Sequence, residues 1–411
     1  MNSYWLTNVR LEEGYQMEAG VPARTITGSY HLFIQDEKIR LIRPAGSGLP
    51  SDNYSCYDAE DSLMLPAFRD MHIHLDKTYY SGPWKAVEPP FSVLARIEEE
   101  AVLLHQLLPK SQERAEALID LLFSHGTTYI RSHCNVDPYT GVKHVEAVMR
   151  AFDNRKDKVS GEIVVFPQHG LLRSQVVEYA REALRLGATS MGGVDPGSVD
   201  QNIEQSLYTI MDLAVEANAD VDVHIHDPGH LGTFTIRRLA DMAEDAGWRG
   251  RVTVSHALGL AGVSPQEQEE LAAMLAARDI TLTSTVPLGN FPFPVLKKHG
   301  VKVWLGDDSI TDHWNPFGQG NVLEKASKLA ERYGWSDERG LAETLGYITG
   351  GVTPLDRQGN QLWPKEGDAA NAVLVRASCS AEMIARRSKV VGVLSKGSWY
   401  PLPEDERQNA L

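Results

Sequence analysis

Residues 63–77 read LMLPAFRDMHIHLDK, an apolar stretch that leads into two histidines separated by one residue. Such a stretch is typical of a buried β-strand. Residues two apart on an extended strand point to the same side, so His72 and His74 can reach one cation together. In barrels of parallel strands the functional side chains gather where the strands end, and both histidines lie at such an end.

Seven further apolar runs follow and alternate with helical patterns. The eight predicted strands are residues 63–74, 127–133, 162–168, 188–194, 220–226, 251–256, 280–285 and 301–307. Apolar residues at helical spacing fill the intervals, for example in residues 107–124 and 202–217. Strands and helices that alternate over about 250 residues predict an α/β fold, a (β/α)8 barrel of the TIM type.

The two ends of the chain carry short strand patterns instead. These patterns lie at residues 5–9, 30–34, 39–42, 372–375 and 390–394. We therefore expect a small β-sandwich domain formed from both chain ends, residues 1–62 and 355–411. The barrel is expected to occupy residues 63–354.

The composition restricts the partners of the chain. Its 411 residues carry a net charge of -15, which disfavours nucleic acid, because nucleic acid requires a basic face. Neither a membrane-spanning apolar run nor a secretory signal pattern is found in the sequence. Three widely spaced cysteines, Cys56, Cys134 and Cys379, favour a reducing compartment over a disulfide framework. We expect a cytoplasmic protein without nucleic-acid or membrane partners.

Polar side chains recur where the predicted strands end. They are His133, Gln168, Asp195, His224, His226, His256, Asp307 and Asp308. Together with the first two histidines, such residues can bind a divalent cation, which lowers the pKa of a bound water and makes hydroxide available near neutral pH. Asp307 can touch the metal and take the proton of that water, and His256 suits stabilising an oxyanion. A leaving amine needs a further acid nearby.

Several motifs resemble those of a known family. Residues 65–77 resemble the first-strand signature of the amidohydrolase superfamily. Residues 164–168 and 306–318 are similar to bacterial cytosine deaminase, and residues 194–196, 224–227 and 252–257 are more similar still to the N-isopropylammelide isopropylaminohydrolases. The resemblance extends over about residues 62–330 and implies membership of this subgroup.

The resemblance implies a role for individual residues. The implied ligands of one Zn²⁺ or Fe²⁺ ion are His72, His74, His224 and Asp307. The implied catalytic residues are His256, Asp307, Asp227 and His226. The implied substrate-binding residues are Gln168, Lys77, Asp195, Asp308 and Trp314. Because Asp227 replaces the glutamate of cytosine deaminase, either Asp227 or His226 moves the proton. The Gln168 amide, a donor and an acceptor together, would pair with a ring carbonyl and its neighbouring N–H.

Two other features of the sequence are expected to have no catalytic role. His133 is expected to be a hydrogen-bond partner within the barrel core. The run Glu98-Glu99-Glu100 predicts a solvated helix face.

The pattern as a whole predicts a mononuclear metal-dependent hydrolase that displaces ammonia or an amine from a small N-heterocycle. The relatives are commonly homo-oligomers, so a homo-oligomer is expected. One alternative is an amidohydrolase that opens a cyclic amide or imide, but this branch usually holds two metals on a carbamylated lysine, and residues 188–194 contain no lysine. A catalytically silent barrel with an assembly or regulatory role is the other alternative, although such descendants normally lose a ligand.

Overall fold

The chain begins with strands that do not belong to the barrel. The computed structural model describes residues 3–48, 53–88, 92–287 and 289–403. The first strands are β1 (Ser3–Glu18), β2 (Val21–Gln35), β3 (Lys38–Pro44), β4 (Ser55–Asp58) and β5 (Leu63–Pro66). Strands β1 to β3 pair in antiparallel fashion, whereas β4 and β5 each run parallel to β1.

Eight parallel strands then form the barrel. They are β6 (Phe68–Ile73), β7 (Thr127–Asn135), β8 (Ser160–Phe166), β9 (Ser190–Val194), β10 (Asp220–His224), β11 (Val252–Ser255), β12 (Thr281–Ser284) and β13 (Val303–Leu305). Each pairs with its neighbour in chain order. Beyond β13, Asp308 closes the ring against β6, because its N–H and carbonyl bond the backbone of His72 and His74 at 2.7 and 2.8 Å. The predicted TIM-type barrel is confirmed.

Most of the helices lie between barrel strands in the chain, and the last three follow the barrel. The helices are α1 (Val93–Leu107), α2 (Ser111–Ser124), α3 (Lys143–Asn154), α4 (Val177–Leu186), α5 (Ile203–Ala217), α6 (Gly229–Asp245), α7 (Pro265–Ala277), α8 (Phe293–His299), α9 (Val322–Tyr333), α10 (Glu338–Thr344) and α11 (Ser380–Arg386). Helices α4 and α8 end at Gly187 and Gly300, whose φ angles of 117° and 73° suit glycine. Apolar residues of helices and strands form one continuous core.

The C-terminal strands return to the first sheet. They are β14 (Ala372–Val375), β15 (Val390–Ser395) and β16 (Ser398–Pro401), and they continue one mixed sheet in the order β16-β15-β14-β5-β1-β2-β3. The expected β structure from both chain ends is thus present. The strand predicted over residues 63–74 is divided, because β5 pairs with β14 and β6 starts the barrel. The domain boundaries at residues 62 and 354 remain a prediction.

The cysteines and the helices bear on the expectations about disulfides and membranes. Cys56, Cys134 and Cys379 are all free thiols. Across the described ranges, no helix has both the length and the apolar character that crossing a bilayer requires.

Candidate active site

A small cavity opens at the carboxyl ends of the barrel strands. Its volume is about 50 Å³. It is lined by His74, Lys77, Phe166, Gln168, His224, His226, His256, Asp308, Ser309 and Trp314. Most of these residues were predicted from the ends of separate strands, and the barrel brings them together because parallel strands all end at the same face.

The first two histidines share one carboxylate neighbour. The Nε2 atoms of His72 and His74 each lie 3.4 Å from Oδ1 of Asp308. The Nδ1 atom of His74 lies 3.0 Å from the carbonyl oxygen of His133, which can only accept, so this nitrogen carries the proton. The Nε2 atom of His74 therefore keeps a free lone pair on the side of Asp308.

A hydroxyl group orients His72 in the same way. The Oγ atom of Ser255 lies 2.9 Å from Nδ1 of His72 and 2.5 Å from Oδ1 of Asp222. Because the Asp222 carboxylate accepts the proton of Ser255, the serine oxygen accepts the Nδ1–H of His72. The Nε2 atom of His72 is thereby left unprotonated. Outer hydrogen bonds of this kind fix the tautomer and orientation of metal-binding histidines.

His224 places a third imidazole beside this pair. Its ring centre lies 4.6 Å from that of His72 and 5.6 Å from that of His74. Neither of its ring nitrogens has a hydrogen-bond partner within the described parts of the chain. Burial, reinforced by the neighbouring imidazoles, lowers the pKa of His224 well below its usual range, so the ring stays neutral. A buried imidazole without a partner is costly unless it binds a ligand.

Two overlapping groups of donor atoms could each hold a divalent cation. Ring nitrogens of His72, His133 and His224 lie within 4.8 Å of one another, as do donor atoms of His72, His256 and Asp308. The Nε2 lone pairs of His72 and His74 face the carboxylate of Asp308 at 3.4 Å. Free lone pairs and an ionised carboxylate repel one another unless a cation lies between them. Imidazole nitrogens with one carboxylate suit Zn²⁺ or Fe²⁺.

Asp307, expected to be both a ligand and the base, is paired with the carboxyl of Asp70. Its carboxyl shares a hydrogen bond with that of Asp70, and its backbone N–H lies 3.2 Å from Oδ1 of Asp70. Burial raises the pKa of Asp307 to about 6. Strand β13 ends at Leu305, and the chain then turns, with φ of 66° at Asp308. Beyond this strand it is the Asp308 carboxylate that lies beside His72 and His74.

His226 enters the cavity with a carboxylate behind it. Its Nδ1 lies 2.8 Å from Oδ2 of Asp195, whose other oxygen accepts the backbone N–H groups of His226 and Asp227 at 2.5 and 3.1 Å. Burial opposes the charged form of His226, but Asp195 outweighs it and raises the pKa of the imidazole. Asp195 therefore orients His226 and does not line the cavity. This differs from its predicted substrate contact.

Asp227 lies outside the cavity that His226 enters. Its carboxyl is hydrogen-bonded to Ser198. Its Oδ2 also lies against Gly197, so close that a Cβ added to this glycine would come within 2.8 Å of the oxygen. Burial raises the pKa of Asp227. Of the two predicted proton carriers, the structure brings only His226 to the site.

His256 is a further imidazole of this group. Its ring centre lies 4.4 Å from that of His226, and its Nε2 lies 4.0 Å from Oδ2 of Asp308. Burial lowers the pKa of His256 well below its usual range, so the ring is neutral. Its φ of 67° is in the left-handed region, a strained backbone that is common at functional sites.

His133 belongs to the same group, although it was expected to be a hydrogen-bond partner in the barrel core. Its ring centre lies 4.1 Å from that of His72 and 4.6 Å from that of His224. Among the described residues neither ring nitrogen has a hydrogen-bond partner, and only its backbone carbonyl supports His74. Burial lowers the pKa of His133 well below the usual range.

A buried ion pair forms another wall of the cavity. The Nζ atom of Lys77 lies 2.9 Å from Oε1 of Glu100 and 2.5 Å from Oε1 of Gln168. The side chains of Lys77 and Glu100 are 1% and 0% exposed. Burial opposes both charges, but their attraction lowers the pKa of Glu100 to about 2 and raises that of Lys77. The Nε1 atom of Trp314 lies 3.4 Å from the same carboxylate oxygen.

The prediction of a solvated face was wrong for Glu100. Helix α1 buries Ile97, Glu100, Leu104 and Leu107 along one stripe, while Glu98 and Glu99 are exposed. That stripe follows the helical period, so periodicity could have shown that Glu100 points inward.

Comparison with known proteins agrees with this arrangement. A sequence profile described as "Amidohydrolase family" matches residues 56–398. The chain belongs to the amidohydrolase family. It is a hydrolase that acts on carbon–nitrogen bonds.

Individual relatives place the chain within that family. It is 43% identical over 399 residues to "Uncharacterized protein YahJ" of Escherichia coli K12, covering 96% of this chain and 86% of the relative. It is 31% identical over 330 residues to N-isopropylammelide isopropyl amidohydrolase of Pseudomonas sp. strain ADP, covering 78% and 80%. The crystal structure of N-isopropylammelide isopropylaminohydrolase from Burkholderia multivorans is similar with a TM-score of 0.84 and 25% identity, covering 97% and 98%. The predicted subgroup is confirmed.

Proposed function

We propose that this protein is a mononuclear metal-dependent hydrolase that displaces ammonia or an amine from a small N-heterocycle. The observation that carries the proposal is a group of three buried imidazoles, His72, His74 and His224, two of which lie 3.4 Å from the carboxylate of Asp308. The proposed ligands of the ion are His72, His74, His224 and Asp308. The names of the relatives support the substrate class, since one acts on N-isopropylammelide. We propose Zn²⁺ or Fe²⁺ as the cation, because both bind imidazole and carboxylate.

The cation would supply a water nucleophile at neutral pH by lowering the pKa of that water. The residues around it provide the remaining functions. Asp308 presents a carboxylate beside His72 and His74 that can take the proton of the water. His256 is neutral, and an N–H of its ring can stabilise negative charge on the substrate.

His226 is the proposed acid for the leaving amine. Its Nδ1 donates to Asp195, so Nε2 is the atom that exchanges a proton with the substrate. Asp195 favours the protonated ring, which provides a proton for an amine as it departs. Gln168, Lys77 and Trp314 would hold the heterocycle.

We also infer the wider setting of the enzyme. Free Cys56, Cys134 and Cys379 are compatible with the cytoplasm. Homo-oligomerisation is proposed by analogy with the family. Residues 1–62 and 355–411 are proposed to act as one domain beside the barrel. Size-exclusion chromatography with light scattering would test the oligomeric state.

The function is tested by metal content and amine release measured together. Protein freed of metal and reloaded with Zn²⁺ or Fe²⁺ is offered ammelide, N-alkyl ammelides, cytosine and isocytosine. We expect one ion per chain and metal-dependent release of ammonia or an alkylamine. Loaded protein that releases no amine from any of these rings would refute the proposal.

A pair of histidine variants provides the control. His224→Ala should lose both the ion and the activity, because it removes a proposed ligand. His230→Ala makes the same change at a side chain that is 84% exposed and should keep both. Full metal content in His224→Ala would contradict the assigned ligand set.

A further inference from the structure

A chain of polar side chains crosses the inside of the barrel and ends at a proposed metal ligand. The Nη1 atom of Arg131, on β7, lies 3.1 Å from Oδ2 of Asp222, on β10. The other oxygen of Asp222 accepts the hydroxyl of Ser255 at 2.5 Å, and Ser255 lies 2.9 Å from Nδ1 of His72. Strand β7 does not neighbour β10 in the sheet, so the contact between Arg131 and Asp222 passes through the interior.

The carboxylate of Asp222 depends on Arg131 for its counter-charge. The Asp222 side chain is 0% exposed, and a buried carboxylate is costly without a paired cation. The imidazole of His133 approaches the same oxygen only to 3.7 Å, which is too far for a hydrogen bond. Arg131 is itself held from another side, because Oε2 of Glu162 accepts its Nε–H at 2.7 Å. The guanidinium therefore fixes the orientation of the carboxylate.

The direction of the hydrogen bonds follows from the first two members of the chain. A guanidinium group can only donate and a carboxylate can only accept, so Asp222 accepts from both Arg131 and Ser255. The Ser255 oxygen then offers lone pairs to His72, which donates its Nδ1–H. The ring proton is thereby kept away from Nε2, the nitrogen that lies 3.4 Å from Asp308. If the donors were reversed, this proton would occupy the nitrogen that is proposed to bind the ion.

We propose that Arg131 is a positioning residue of the metal centre, because it orients Asp222 and thereby fixes, through Ser255, the tautomer of His72 that can bind the ion. This inference rests on the proposed function, where His72 is assigned as a ligand. Arg131 does not line the substrate cavity and acts only through the side chains between it and His72. Loss of an outer hydrogen-bond partner lowers metal affinity by about 10- to 100-fold in known metal sites.

Asp222→Asn is the variant that isolates the effect of Arg131. The amide has an acceptor end and a donor end, and Arg131 can face only its oxygen. The NH2 group then points at Ser255, whose hydroxyl must donate to His72, so the ring proton moves to Nε2. Chelator competition with the full chain should show zinc binding weakened by about 10- to 100-fold.

Removing the arginine from this variant should reverse the loss. In the double variant Asp222→Asn with Arg131→Met, the amide is free to turn its oxygen toward Ser255, which restores the original direction of the hydrogen bonds. We expect zinc affinity to rise again by about 10-fold relative to Asp222→Asn alone. A residue needed only for folding would instead make the double variant bind zinc more weakly than the single one.

The same change should have the opposite effect when Asp222 is present. Arg131→Met should weaken zinc binding by about 10-fold, because the carboxylate loses the group that orients it. Arg131→Lys keeps the charge without the fork that reaches Asp222 and Glu162 together, so its affinity should lie between the two. Arg251→Met is the matched control, since Arg251 pairs at 2.7 Å with Asp220 of the same strand β10, and it should leave zinc affinity unchanged.

Two results would overturn the proposal. One is an unchanged zinc affinity in Arg131→Met, and the other is a further loss when Arg131→Met is added to Asp222→Asn. Either result, in a chain that binds zinc and releases an amine, would refute the role of Arg131 and leave the proposed function intact. Failure of the unaltered protein to bind zinc would refute the proposed function and this inference with it.

Discussion

Replacing Glu100 by glutamine tests how the charged wall contributes to the fold. Glu100 and Lys77 are buried together, and the pKa of Glu100 falls from 4.5 to about 2 in the folded chain. A pKa difference of one corresponds to about 1.4 kcal/mol, so the ionised form of Glu100 contributes on the order of 3 kcal/mol. Because the folded pKa is lowered, this contribution is complete above pH 4.5 and is lost as the pH falls toward about 2.

Urea unfolding at neutral pH measures the effect. Glu100→Gln should lower the free energy of unfolding by about 3–5 kcal/mol, because it leaves the Lys77 ammonium buried without its partner. Lys77→Met with Glu100→Gln should recover much of this loss, and Glu98→Gln should change little. Exposed ion pairs contribute less than about 1 kcal/mol. If Glu100→Gln lowers the free energy of unfolding by no more than that, the reasoning is refuted.

Three further predictions concern the residues around the proposed ion. Asp308→Asn should abolish tight metal binding, measured by elemental analysis, whereas Asp307→Asn should keep the ion because its carboxyl is hydrogen-bonded to that of Asp70. The reverse result would favour the ligand expected from the sequence. Ser255→Ala should weaken metal affinity by about 10- to 100-fold in chelator competition, since the outer hydrogen bond is lost; unchanged affinity would contradict this. Asp195→Asn should lower kcat by about 100- to 10,000-fold with little change in KM, because it removes the partner of the proposed acid, and an equal change in KM would argue for a substrate contact instead.

The fold could be predicted because its signals are local. Each barrel strand is a short apolar run, and each intervening helix shows its own period, so the alternation is visible without tertiary information. The meeting of His72, His224 and His256 also follows from topology, because parallel strands of a barrel end at one face. The division of residues 63–74 into β5 and β6 depends on pairing with β14, which no local pattern indicates.

The choice between two adjacent aspartates could not be predicted in this way. Alternation of side chains applies within a strand, but β13 ends at Leu305. Beyond that residue the direction of each carboxyl depends on the left-handed turn at Asp308 and on its backbone bonds to β6. These are tertiary contacts, and they direct Asp307 toward Asp70.

The sequence also could not show which side chains on distant elements form pairs. Lys77 follows the first barrel strand, and its partner Glu100 lies on α1, within a run of three glutamates that suggested solvent. The buried stripe of Ile97 and Leu104 contained the missing signal, because Glu100 is three and four residues away from them.

The position of the metal tests the central claim most directly. Anomalous diffraction at the zinc edge from crystals of the zinc-loaded protein should give one peak per chain, within bonding distance of His72, His74, His224 and Asp308. A peak bonded to Asp307, two peaks in one site, or no peak among these histidines would contradict the account.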